Sequence, residues 1–348
     1  MDGTAVQSKP ETKPVTPERI MQLAWAYAPP LIIGAAIENK VFDELDKCPA
    51  TADELSKRTK ASVRGLTSLL DALVALQLAT KDSKQQQRYG LTPESAAFLV
   101  TTKPSFQGGI FKHIAAHLIP AWLELGEIVR TGKPSRQVNS NDGGAEFFEG
   151  FVEDIFPMSY GATKVLAGNL KLDSVTKTTR VLDIASGSGV WGIGLAQANK
   201  QVEVTAVDWE RVLGVTKRVA TKHGVGGQFK YIAGDICKVD LGRGHDIATL
   251  GHILHSEGPE HSRLLIKRVF DALAPGGTIA IAEFVANDDR TGPMNAMIFA
   301  VNMLVNTDEG NAFTFGQISG WLRDTGFENV RQLEAPAPSP LILATKPR

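Results

Sequence analysis

Residues 181–196 read VLDIASGSGVWGIGLA, and the order of this stretch decides the fold. An apolar run leads into Asp183, a Gly/Ser turn follows, and an apolar helix is predicted to begin near Val190. Gly187, Gly189 and Gly192 satisfy G-x-G-x-x-G, a spacing that brings backbone N–H groups and a helix N-terminus close to a ligand. Asp208 closes the next β-branched run, nineteen residues after Gly189, where a carboxylate can accept from both hydroxyls of a ribose. Together these features point to a cofactor that contains a nucleoside.

From residue 179 onward the same grammar repeats. Short β-branched runs at 180–184, 202–207, 229–232, 246–251, 277–283 and 341–345 alternate with helical stretches, as in a doubly wound parallel sheet. Two features favour S-adenosylmethionine over a nicotinamide dinucleotide. Asp183, just before the glycines, is expected to meet the cationic amino-acid part of the ligand, and a carboxylate there repels a pyrophosphate. Asp235, after another short strand, is placed to accept from an adenine amine, with Ile236 packing on the ring. Trp209 is expected to pack on the adenine as well, and Ser159 to reach the cofactor carboxylate.

These residues carry a family resemblance. The glycine loop, Asp208, Gly234–Asp235, the His255 segment, Pro275–Gly276–Gly277 and a helix ending at Gly326–Phe327 resemble class I S-adenosylmethionine-dependent small-molecule O-methyltransferases of the caffeate and acetylserotonin type. The resemblance covers nearly the whole chain. It implies an α/β fold: a C-terminal doubly wound, Rossmann-like methyltransferase sheet with an antiparallel last strand, preceded by a mainly helical winged-helix domain. It also implies S-adenosyl-L-methionine as cofactor, S-adenosyl-L-homocysteine as product, no metal, and a homodimer formed through the N-terminal domain.

Open α/β sheets present ligands at the carboxyl ends of their strands, and His255 lies in the loop expected after one of them. Methyl transfer to a phenol needs the oxygen deprotonated, a task suited to an imidazole. In the resembling family the matching histidine, in Leu254–His255, is the general base, and Glu283 takes the place of a glutamate that orients it. This sequence departs from the pattern nearby. Ser256 and Glu257 replace the usual acidic residue and tryptophan, and Ala312 aligns with a second orienting glutamate, for which Glu309 or Asp308 are the candidate substitutes. The substrate pocket is expected to be lined by Phe156, Met158, Met294, Met297, Phe299, Asn302 and Met303, which suit a flat aromatic ring. His113 and His117 share i,i+4 spacing but lack a third ligand in sequence, so packing or pocket lining is the reading there. Transfer to a hydroxyl of a small aromatic metabolite is the leading function. C- or N-methylation by proximity, and a ligand-sensing winged-helix DNA-binding regulator, are the alternatives.

Before the sheet, the chain divides into a polar tail (1–16), a winged-helix dimerisation domain (17–103) and a helical connector lining the substrate pocket (104–170); the cofactor domain spans 171–348. In the second segment Thr51 and Glu54 have capping-box spacing, and Leu66, Leu69, Leu70, Leu73 and Leu76 share a helix face ahead of a two-stranded wing. A winged helix raises DNA binding, supported by Lys57, Arg58, Lys60 and Arg64. Residues 1–100 nevertheless hold 12 basic and 12 acidic side chains, giving no positive footprint, and no nucleic-acid partner is expected. A net charge of -1 and only two cysteines exclude a polybasic coat or a disulfide scaffold. With no apolar run read as long enough to span a bilayer and no signal-peptide core, the expectation is a cytoplasmic protein without a membrane partner.

Overall fold

The computed structural model describes residues 15–82, 87–134, 141–336 and 340–348. Most of the expected tail, and the tip of the wing, lie outside the described residues. The chain forms two compact units, residues 1–101 and 102–348.

In the first unit the capping box is made as its spacing predicts. Glu54 N donates to Thr51 Oγ1 (3.2 Å) and Thr51 N to the Glu54 carboxylate (3.0 Å), starting helix Ala52–Thr59. Ser62 caps helix Val63–Ala75, whose Leu66, Leu70 and Leu73 are buried in a core with Phe42, Leu45 and Leu55. Leu69 and Leu76 are only half-buried, at the edge of that stripe. Strands β1 (Ala79–Asp82) and β2 (Arg88–Leu91) form the antiparallel wing. Arg88 ties it down through a bidentate pair with Glu54, at 2.6 and 2.9 Å.

Helices Glu18–Ala24 and Ala28–Glu38 correct one expectation from sequence. Joined by a short turn, they make a 21-residue run long and apolar enough, by length and composition, to cross a membrane. Gly34 lies within the second helix. Ile20, Met21, Leu23, Trp25 and Tyr27 in this run are exposed.

The second unit is built on seven strands: β3 (Thr179–Ile184), β4 (Val202–Asp208), β5 (Phe229–Ala233), β6 (His245–Gly251), β7 (Leu273–Ala282), β8 (Glu328–Leu333) and β9 (Leu341–Thr345). Their order is β5-β4-β3-β6-β7-β9-β8, with β9 antiparallel to both neighbours. The fully buried central strands carry Val181, Leu182, Ile184, Val204, Val207, Ala248 and Leu250, the apolar character required where helices cover both faces. Strand β7 starts earlier than residue 277 and includes Pro275–Gly277, accommodated by an irregularity in its pairing with β6.

The glycines of the quoted stretch have separate physical reasons. Gly189 caps helix Val190–Ala196 at φ +78°, where an L side chain is strained. A Cβ on Gly192 would sit 2.7 Å from Val204, and one on Gly194 1.8 Å from the Thr163 hydroxyl, so both let the helix pack against its neighbours.

The connector is helical but interrupted. Its segment 119–131 breaks at Leu123–Glu124, giving Ile119–Trp122 and Leu125–Thr131. It follows Gly109–His113 and a π turn, Ile114–Leu118. The segment 147–158 is divided between helices Asn141–Phe151 and Phe156–Asn169, with Pro157 in the first turn of the latter.

Candidate active site

Strand order reverses between β3 and β6, the position at which open α/β sheets bind ligands. A cavity of about 1110 Å³ opens there, above the ~300–1,000 Å³ typical of a single small-molecule site and roomy enough for a cofactor beside a second ligand.

The end expected to hold the cofactor is made by loops after β3, β4 and β5. Asp208, at the end of β4, is nearly buried and faces the cavity; its two carboxylate oxygens accept from Gly187 N and Trp209 N, each at 2.8 Å. Burial pushes its carboxyl up to about 6, against those two N–H groups. Gly187, Trp209, Asp235, Ile236 and Ser159 line the same space. Asp235 is fixed by Cys237 N at 2.8 Å and Lys238 at 2.7 Å. A buried carboxylate at a strand end, flanked by an indole and an aliphatic side chain, fits a nucleoside.

Asp183, Gly189 and Phe156 depart from their expected contacts. Asp183 does not line the cavity: it is fully buried, accepting from Thr249 Oγ1 (2.6 Å) and Gly192 N (3.0 Å). Burial pushes it up to about 7, against those two bonds. Its carboxyl clamps the start of the glycine-loop helix to β6. Gly189 is likewise absent from the lining, and a Cβ built on it would meet Thr216 and Ile193. Phe156, at the start of its helix, packs on His223 and Tyr160 with ring centroids 4.7 and 5.2 Å away, whereas Met158 and Ser159, further round that helix, face the cavity.

At the other end stands the candidate base. His255 lies in the first turn of helix Leu254–Ala272 and not in a loop, because the helix begins directly after β6 and kinks at Gly258–Pro259. Glu283 follows the neighbouring strand β7, and its carboxylate receives the His255 Nδ1–H at 2.7 Å and the His255 backbone N–H at 3.2 Å. Glu283 is 1% exposed. Burial alone would raise its carboxyl, but the imidazole of His255, its hydrogen bonds and His252 outweigh burial and hold Glu283 below the usual range. The anion therefore fixes the Nδ1–H tautomer, leaving the Nε2 lone pair for a substrate.

Ala312 is fully buried and supplies no second carboxylate. Asp308 and Glu309 do reach the cavity lining, while Glu283 makes the hydrogen bond described for the His255 ring. His252, held at φ +60°, is pushed down to about 4 by burial despite the nearby Glu283. Ligand atoms of His252, His255 and Glu283 lie within 4.8 Å of one another, a spacing a metal ion could bridge.

Met294, Asn302 and Met303 line the cavity, as does Phe299, whereas Met297 is absent from the lining. Phe299 stacks on Phe284 at 3.9 Å and stands nearly perpendicular to the His255 ring at 4.8 Å. Sequence reasoning missed Trp122, which donates to Asn302 Oδ1 at 3.0 Å and so orients that amide. It also missed Trp191, Phe151 and Phe284, which line the cavity from distant segments that no local motif links.

A seven-stranded sheet with an antiparallel last strand, a nucleoside site at its switch point and a carboxylate-oriented histidine beside it define a methyltransferase of the nucleoside-cofactor class. Comparisons with known proteins sharpen the class to a family. An O-methyltransferase domain matches residues 122–328, and an O-methyltransferase dimerisation domain matches residues 21–101. The chain is 32% identical over 309 residues to a 3-hydroxy-5-methyl-1-naphthoate 3-O-methyltransferase of Streptomyces sahachiroi, covering 87% of each chain. It is 29% identical over 345 residues to the tetracenomycin polyketide synthesis 8-O-methyl transferase of Streptomyces glaucescens, covering 97% of this chain and 99% of that one. The fold matches the crystal structure of human N-acetylserotonin methyltransferase with a TM-score of 0.84 at 22% identity, over 97% of this chain and 99% of that one. The chain belongs to the O-methyltransferase family and is an S-adenosylmethionine-dependent enzyme.

Proposed function

We propose that the enzyme methylates a phenolic hydroxyl of a fused or substituted aromatic metabolite, with His255 as general base. The observation that carries this reading is the 2.7 Å bond between His255 Nδ1 and a buried Glu283 in the wall of a cavity faced by Phe284 and Phe299. Bound S-adenosylmethionine supplies an electrophilic methyl group on a sulfonium sulfur. Asp208 would hold the ribose, Trp209 and Ile236 the adenine, Asp235 its amine, and Ser159 the carboxylate of the cofactor. His255 Nε2 takes the hydroxyl proton as the oxygen gains its methyl group, and Glu283 stabilises the imidazolium through Nδ1–H. Met158, Met294 and Met303, with the Phe284–Phe299 pair, hold the ring face, and Asn302, oriented by Trp122, offers its amide to a ring substituent. The curated relatives named for naphthoate and tetracenomycin substrates support an aromatic acceptor.

The test is incubation with S-adenosylmethionine and a panel of hydroxylated naphthalenes and anthracenes. A methyl ether, located by NMR, is the expected product; methylation at carbon, or of none of the panel, would overturn the reading.

The same reading includes a homodimer formed by the N-terminal domain. Exposed Ile20, Met21, Leu23, Trp25 and Tyr27 form an apolar surface of the kind a partner covers, and the dimerisation-domain match spans most of them. Sedimentation should give twice 37.4 kDa at micromolar concentration, and a Leu23→Asp/Trp25→Asp variant should shift toward monomer. A wild-type monomer would exclude the homodimer. Two unpaired cysteines, Cys48 and Cys237, agree with a reducing, cytoplasmic setting.

A further inference from the structure

Two histidines in the cavity wall have no role in the chemistry above. His113 and His117 come from the helix and π turn at residues 109–118, stacked with ring centroids 5.1 Å apart. Phe151 stacks on His113 at 3.9 Å, and Phe147 presents to His117 at 5.4 Å with the rings nearly perpendicular. Both imidazoles line the cavity that holds His255. His113 is 6% exposed. The Nδ1 atom of each is enclosed with no hydrogen-bond partner among the described residues.

An aromatic wall needs no imidazoles; phenylalanine would pack there without desolvating ring nitrogens. Burying a ring nitrogen unpaired has a cost, so the enclosure of Nδ1 decides which tautomer the ring adopts. Burial, helped by His117, pushes His113 down to about 4, so this ring is neutral. A neutral imidazole carries one N–H and one lone pair, and an orphaned N–H is the rarer of the two in protein interiors. The enclosed Nδ1 therefore bears the lone pair and Nε2 the proton. The neutral His113 ring presents an N–H donor with no charge to balance, beside the stacked His117 ring, which suits an uncharged acceptor oxygen better than a carboxylate, whose burial demands a cation.

Building on the aromatic-acceptor reading, we propose that His113 and His117 form a second polar subsite that receives a ring carbonyl oxygen of the substrate, apart from the hydroxyl that is methylated. The preferred substrates are then hydroxylated aryl ketones or quinones. The phenol is deprotonated at His255 while the carbonyl fixes the ring's register at the histidine pair.

The experiment measures dissociation constants, with S-adenosylhomocysteine bound and at pH 8, for matched hydroxynaphthalenes with and without an acetyl group on the second ring. At about 1 kcal/mol per hydrogen bond, the wild type should prefer the ketone roughly fivefold to thirtyfold. His113→Phe and His117→Phe should each bring that ratio toward one, and His113→Gln, which keeps an N–H donor, should retain part of it. The half-buried His117 supplies the decisive variant if His113→Phe does not fold. A wild-type ratio of one, or phenylalanine variants that keep the preference, would overturn the subsite. Failure of both compounds to bind, with the cofactor product bound normally, would instead remove the aromatic-acceptor reading and the subsite with it.

Discussion

Replacing His255 with alanine is expected to lower turnover at neutral pH roughly 10²–10⁴-fold while leaving cofactor affinity nearly unchanged. The asymmetry follows from geometry: His255 sits beside the Phe284–Phe299 pair and Glu283, whereas the cofactor end is formed by Asp208, Trp209 and the loop after β5. Raising the pH should restore part of the rate, because a phenol of pKa about 10 ionises without help. Alanine also leaves the buried Glu283 carboxylate without its partner, which threatens the fold as well as the reaction. His255→Asn separates the two effects, since its amide can still donate to Glu283 but offers no base. Glu283→Gln should show a milder defect, on the order of tenfold to a hundredfold, with the imidazole present but poorly stabilised once protonated. Ala312, in place of a second carboxylate, places the His255→Ala loss toward the lower end of its range. A loss under about tenfold without high-pH rescue would mean that positioning alone carries the reaction.

The sheet was legible because each of its parallel strands is a short β-branched run bounded by turn residues, and burial on both faces leaves little else those runs can do. Glycine spacing likewise announced the loop, since the close approaches at Gly192 and Gly194 admit no side chain. The Thr51–Glu54 cap was equally plain, being a local contact between residues three apart. What sequence could not resolve was direction. Asp183 stands one residue before the end of β3, and only the three-dimensional register shows its carboxyl turned to Thr249 on β6 and not to the cavity. Phe156 failed for the same reason: a helix whose residues are apolar on most sides does not reveal which of them faces a ligand. The π turn at Ile114–Leu118 shifts the phase of the connector, so the i,i+4 spacing of His113 and His117 said nothing of Phe147 and Phe151.

Asp208 carries the other large effect. Its substitution by alanine should weaken S-adenosylmethionine binding at pH 8 by roughly 10²-fold or more, since hydrogen bonds to a charged group are worth about 1.5–3 kcal/mol each and a ribose offers two. Removing the carboxylate also frees Gly187 N–H and Trp209 N–H, so Asp208→Asn, which keeps the shape, is the cleaner probe. A further signature comes from protons. In the free enzyme burial raises this carboxyl from 3.8 to about 6, whereas accepting from ribose hydroxyls requires the ionised form. Cofactor binding near pH 6 should therefore release up to about 0.5 proton from this site, falling toward zero by pH 8. Calorimetry in buffers of different ionisation enthalpy reads this directly, and Asp208→Asn should abolish it. The sign carries over to stability. A carboxyl whose folded pKa is raised contributes stability below its unfolded value and loses it as pH climbs through the folded value, here between about 4 and 6 for Asp208. Asp183, raised to about 7, extends that window upward. The free enzyme should thus melt lower at pH 8 than at pH 5 on account of these two groups, and the cofactor's stabilising shift should grow over the same range as it rewards the ionised Asp208. Proton release that is equal in wild type and Asp208→Asn would show that this carboxylate does not hold the cofactor.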